Sequence, residues 1–147
     1  MEAGIRSFEE SLDGAFGLSE KDWSQYAPLT LAYLGDAVYE LAVRAIFVKR
    51  MDIQTQKLHR KVTACVCAQA QAEMIRVLLS SLTEEEQAIY RRGRNAKPYT
   101  KAKHATMGEY LEATGFEAVI GYLYLKKENE RMTALIQQGL EALKLLG

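Results

Sequence analysis

Two prolines, Pro28 and Pro98, are all that this chain of 147 residues contains. Proline removes a backbone N–H and clashes with the preceding helical turn, so its scarcity leaves long stretches free to wind as helix. The apolar residues use that freedom. Leu31, Leu34, Val38, Leu41, Ala42 and Ala45 recur at three- and four-residue steps, the period of a helix with one buried face. Pro28 suits the first position of that helix, where its missing N–H would have no partner. The pattern predicts a helix from Pro28 to about Arg50 and a second helical stretch over Gln54–Ser81. The β-branched Val62, Thr63 and Val66 weaken this second stretch near Thr63–Val66. A further helix starts at Thr83, where Thr83 and Glu86 have the spacing of a capping box, and ends near Gly93. Arg94–Lys103, which contains Pro98, reads as a loop, with Gly93 and Pro98 making Arg91–Lys97 project, and helices follow over His104–Leu125 and Glu128–Leu146. The expected fold class is all-α. The expected organisation is one domain over 22–147 behind an acidic, partly ordered arm over 1–21, with a short turn near Lys21–Ser24.

Lys plus Arg total 19 and Asp plus Glu total 19, so the net charge is zero and a uniformly basic surface is excluded. The charge is unevenly placed, however. Tyr90–His104 carries Arg91, Arg92, Arg94, Lys97, Lys101 and Lys103 and no acid. Arg44–Lys61 carries six bases against Asp52, and residues 1–22 carry six acids against two bases. No apolar run has the length of a membrane span, and the N-terminal residues lack the apolar stretch of a secretory signal. Cys65 and Cys67 stand two apart, which points them away from each other on helix or strand. A disulfide is not expected, and a reducing cytoplasm is the expected compartment.

Two acids stand out by isolation. Asp36 lies in the apolar run Tyr33-Leu-Gly-Asp-Ala-Val-Tyr-Glu40, next to Gly35. Glu117 is the only charged residue between Glu112 and Lys126. A lone carboxylate in an apolar helix is costly unless something pairs with it. One reading is that each acid is satisfied separately, Asp36 by an arginine such as Arg44. The other is that the two helices pack together and the acids meet around a hard divalent cation. Mg²⁺ suits that arrangement, since it takes one or two carboxylates, keeps waters and completes its shell with phosphate. His59 and His104 have no cysteine or histidine cluster around them, so a zinc site is not expected.

Leu34-Gly-Asp-Ala-Val resembles the signature helix of the ribonuclease III family, and Phe116-Glu-Ala-Val-Ile-Gly-Tyr-Leu-Tyr resembles its second metal-binding helix. With Arg91-Arg-Gly-Arg-Asn-Ala-Lys97 between them, the chain is similar over about 22–140 to the minimal branch of that family, Mini-ribonuclease III. The resemblance implies a helical bundle like the ribonuclease III catalytic domain, working as a homodimer. It implies Mg²⁺-dependent cleavage of double-stranded RNA, leaving 5′-phosphate and 3′-hydroxyl ends, with Asp36 and Glu117 as catalytic and metal-binding residues. It further implies 23S ribosomal RNA precursor as substrate, a ribosomal-protein helper as a further partner, and no separate double-stranded-RNA-binding domain.

Longer relatives carry four acids at the metal. Here the other two fall on Ala32 and Thr114. Glu40, one turn after Asp36, Glu109, two turns before Glu117, and the Thr114 hydroxyl are candidates to complete the site. The missing acids also keep open a non-catalytic RNA-binding or ribosome-associated module with a degenerate nuclease site. A plain helical dimerisation protein is the third alternative. The segment Arg91, Arg92, Arg94, Asn95 and Lys97, extended by Lys101 and Lys103, is the candidate RNA surface. Duplex RNA is recognised mainly through shape, phosphates and 2′-hydroxyls.

Overall fold

The computed structural model describes residues 7–19, 21–22, 25–97 and 105–147. Among them it is all-helical: α1 (Phe8–Phe16), α2 (Pro28–Arg50), α3 (Thr55–Val66), α4 (Ala68–Leu78), α5 (Glu84–Arg94), α6 (Met107–Leu125) and α7 (Asn129–Ala142). A 3₁₀ turn, Leu79–Ser81, continues α4. No single helix among the described residues is long and apolar enough to cross a membrane.

The most apolar helix occupies the centre. From Ala113 to Leu123 every residue of α6 is buried except Glu117, which is half-buried. A helix apolar on all sides must be enclosed on all sides, and α2, α4, α5 and α7 pack around it. The core joins Tyr39, Val43 and Phe47 of α2 to Met74, Ile75 and Leu78 of α4, Phe116 and Ile120 of α6, and Leu135 and Leu140 of α7. The Tyr39 ring meets Phe116 edge-on with centroids 5.1 Å apart. Its hydroxyl donates to the Cys65 carbonyl at 2.8 Å, so the one polar atom of this buried ring is satisfied.

The α2 and α6 backbones approach each other most closely among the described residues. A methyl group at Gly35 would collide with the Glu117 carbonyl, and one at Gly121 with the Leu31 carbonyl. The glycine inside α2 therefore has a packing reason that outweighs its helix cost of about 1 kcal/mol.

Several boundaries follow local chemistry. The expected weak point in 54–81 is a full break at Cys67, whose extended backbone (φ −66°, ψ 155°) separates α3 from α4. The capping box forms at Thr83 and Glu86, and Glu86 is also held by Arg131 of α7 at 2.8 Å. Burial works against the Glu86 charge. The Arg131 guanidinium and the Thr83 hydrogen bonds outweigh it and hold the carboxyl below its ordinary value.

Two expectations need correction. The acidic arm, expected to hold no more than a short turn, contains the nine-residue helix α1. The signals were present: Ser7 accepts from the Glu10 N–H at 3.2 Å, and Gly17 ends the helix in the left-handed region at φ 61°. The helix ends near Gly93 as expected, but Gly93, expected with Pro98 to shape a projecting loop, lies buried inside α5, where a side chain would strike Ala118 and Gly115 of α6. It is a packing glycine, and the helix continues past it to Arg94.

Candidate active site

The close α2–α6 crossing decides where the two isolated acids go. Gly35 lies against the Glu117 carbonyl, and Asp36 is the next residue along α2. The two carboxyl groups meet, close enough for a hydrogen bond between them. Burial, the Asp36 charge and that hydrogen bond together push the Glu117 carboxyl up to about 9, partly countered by a hydrogen bond from Gln71. Such a raised value arises when a carboxyl is buried, where its charged form is disfavoured, and also faces a second carboxylate.

The pair opens into a cleft of about 570 Å³, the walls of which include Pro28, Tyr33, Ala96, Tyr110 and Thr114. Asp36 is exposed and Glu117 half-buried, so one acid stands at the mouth and the other deeper. Ala32 and Thr114 both line the cleft, at the positions where longer relatives place further acids. The Thr114 hydroxyl donates to the Tyr110 carbonyl at 2.9 Å, which commits its proton to its own helix.

The other candidates for the site are engaged elsewhere. Glu40 pairs with Arg44 on the same face of α2, in a neighbouring hollow that shares Asp36. Glu109 is the capping acid of α6 and accepts from the Thr106 N–H at 3.0 Å. Among the described residues no group of three or more histidine, cysteine or acidic side chains converges.

The basic segment is carried by the last turn of α5 and the residues after it. Arg91, Arg92, Arg94, Asn95 and Lys97 are all exposed, and Ala96 among them touches the cleft. The structure thus puts the strip beside the acid pair. Arg92 also donates to the Tyr26 carbonyl at 3.2 Å, and Arg94 lies over the Tyr90 ring at 5.8 Å. Lys101, Lys103 and His104 lie outside the described residues.

Sequence reasoning missed Gln71. It is 2% exposed and lies on α4 between the buried Ala70 and Ala72, with its amide turned to Glu117. A long polar residue in the run Ala70-Gln-Ala-Glu-Met74 was the available signal, because a buried amide needs a partner.

Comparison with known proteins agrees with this geometry. The profile of the ribonuclease III domain matches residues 29–128. A Mini-ribonuclease 3 of Clostridium tetani is 46% identical over 120 residues, covering 81% of this chain and 80% of its own. A Mini-ribonuclease 3 of Thermoanaerobacter sp. is 37% identical and covers 98% of this chain and 99% of its own. A crystal structure of a Fusobacterium nucleatum protein superposes with a TM-score of 0.75 at 33% identity, covering 84% of this chain and 98% of its own. With the acid pair in its cleft, the chain belongs to the ribonuclease III family of endoribonucleases, in its Mini-ribonuclease 3 branch.

Proposed function

We propose that the chain is a Mg²⁺-dependent endoribonuclease that cuts double-stranded RNA, acts in the cytoplasm on the 23S ribosomal RNA precursor, and works as a homodimer. The observation that carries the reading is the meeting of Asp36 and Glu117 in an open, basic-edged cleft. The donor set fits a hard divalent cation. Two carboxylates face each other with only one proton's worth of relief, and the cleft leaves room for waters and a phosphate.

When bound there, Mg²⁺ supplies charge neutralisation at the phosphate and a more acidic water. The chain's own residues do the rest. Asp36 and Glu117 hold the cation site. Arg91, Arg94 and Lys97 take phosphate oxygens beside it, and Asn95 is suited to 2′-hydroxyls. In-line attack by water then leaves a 5′-phosphate and a 3′-hydroxyl. The compartment is consistent with two free thiols, Cys65 and Cys67. The 23S assignment rests on the family resemblance, as does a ribosomal-protein helper. Residues 1–21 serve as an accessory arm to a catalytic unit over 22–147.

The homodimer is supported by an exposed apolar row on α2. Tyr33, Leu41 and Val48 are 84%, 66% and 62% exposed on a helix whose other face is core. Exposed apolar surface of this kind marks an interaction site, and it borders Asp36. Two like sites on a two-fold axis are what cutting both strands of a duplex requires.

The experiment is cleavage of a long RNA duplex by the native chain, Asp36→Asn and Glu117→Gln across a Mg²⁺ series, with sedimentation alongside. The expected result is cleavage by a dimeric native chain only, with both variants folded and dimeric. Full cleavage by both variants refutes the reading. Binding without cutting by the native chain favours the alternative that Ala32 and Thr114 motivate, a non-catalytic RNA-binding module.

A further inference from the structure

Gln71 occupies a place that stability alone does not explain. It comes from the first turn of α4, just after the break at Cys67, and its side chain is 2% exposed. Its Nε2 donates to the Val66 carbonyl at 2.8 Å, one of the carbonyls left over where α3 ends. The same amide faces the Glu117 carboxyl and favours its charged form. Its Oε1 is buried and has no hydrogen-bond partner among the described residues.

An unpaired buried acceptor costs on the order of 1–3 kcal/mol. A Met or Leu would fill the same space without that orphan but would leave the Val66 carbonyl without its donor, so the two costs offset and the stability of the core does not by itself select an amide. The Val66 carbonyl also fixes which way the amide faces. A flipped amide would set oxygen against oxygen at Val66. Gln71 is therefore locked as a donor toward Glu117, and the orphaned Oε1 is the consequence of that lock.

We propose that Gln71 is a positioning residue for the metal site: through Val66 it presents a fixed N–H to the Glu117 carboxylate and holds that carboxylate, opposite Asp36, in the orientation that accepts a divalent cation. This rests on the nuclease reading above and adds to it a component outside the pair of acids. Residues that orient a metal-binding side chain in this way are typically worth about 10- to 100-fold in metal affinity or activity when replaced.

The test uses the full chain with Gln71→Met and Gln71→Leu. Melting without metal reports the fold, paramagnetic resonance of Mn²⁺ with the RNA-free protein reports binding, and duplex cleavage across a Mg²⁺ series reports the requirement for metal. The expected result is a melting temperature close to that of the native chain, Mn²⁺ affinity lower by about tenfold or more, and a Mg²⁺ midpoint raised by a similar factor. Folded variants with native Mn²⁺ affinity and native Mg²⁺ midpoint overturn the inference and leave the nuclease reading standing. Failure of both variants to fold also overturns it, because the amide would then be structural. A native chain that binds no Mn²⁺ and cuts no RNA overturns the nuclease reading, and this inference with it.

Discussion

Replacing Glu117 by Gln is expected to stabilise the metal-free protein, and increasingly so as pH rises. In the fold the Glu117 carboxyl sits at about 9, against an ordinary 4.5, first because it is buried and then because Asp36 faces it. In the unfolded chain it ionises at its ordinary value. Between those limits the native state binds a proton that the unfolded state has released, so stability falls as pH climbs. At pH 7 the interval above 4.5, taken at about 1.36 kcal/mol per pH unit, comes to about 3 kcal/mol; at pH 5 it is under about 1 kcal/mol. Glutamine has the same shape and no proton to take up. Its advantage over the native residue should therefore grow by about 2–3 kcal/mol between pH 5 and pH 7. Urea unfolding in chelator, at one fixed protein concentration because a dimer's stability depends on it, measures the gap. Adding Mg²⁺ at pH 7 should narrow the gap by about half, since a cation at ten times its Kd stabilises the native chain by about 1.4 kcal/mol and has no pair of carboxylates to bind in the variant. A gap that stays constant from pH 5 to pH 7 would show that Glu117 does not share a confined space with Asp36, and the reasoning for the site would fail.

Other expected outcomes follow from single contacts. Gly35→Ala should destabilise the fold by about 2 kcal/mol or more, because collision with the Glu117 carbonyl outweighs a propensity gain of about 1 kcal/mol. Gly108→Ala, where among the described residues only the Thr106 hydroxyl lies within 4 Å, should instead gain about 0.5 kcal/mol; urea titration of both variants compares the signs. In a Glu117→Gln background without metal, Arg91→Gln should weaken duplex-RNA binding and flatten the plot of log affinity against log salt by about one. An unchanged slope by fluorescence anisotropy would place Arg91 away from the phosphates.

Much of this was legible in the residues because it depends on local chemistry. The start of α2 at Pro28, the capping box at Thr83 and the burial of α6 all follow from residue types and their spacing. So did the candidacy of Asp36 and Glu117, since isolation in an apolar run can be seen without coordinates. The helix α1 was also encoded, by Ser7 and Gly17, but an acidic, glycine-bearing segment masked those signals.

What the order of residues determined by itself was which side chains have no satisfactory place on a lone helix: the two carboxylates of Asp36 and Glu117, and Gly35 with no turn to make. What only the tertiary structure decided was how these needs answer one another. Gly35 and Gly121 let two backbones touch, and that contact brings Asp36 to Glu117. The break at Cys67 frees the Val66 carbonyl that orients Gln71. These partners stand far apart along the chain, so their meeting depends on how helices cross, and helix crossing is set by packing across the whole core, which local spacing does not encode.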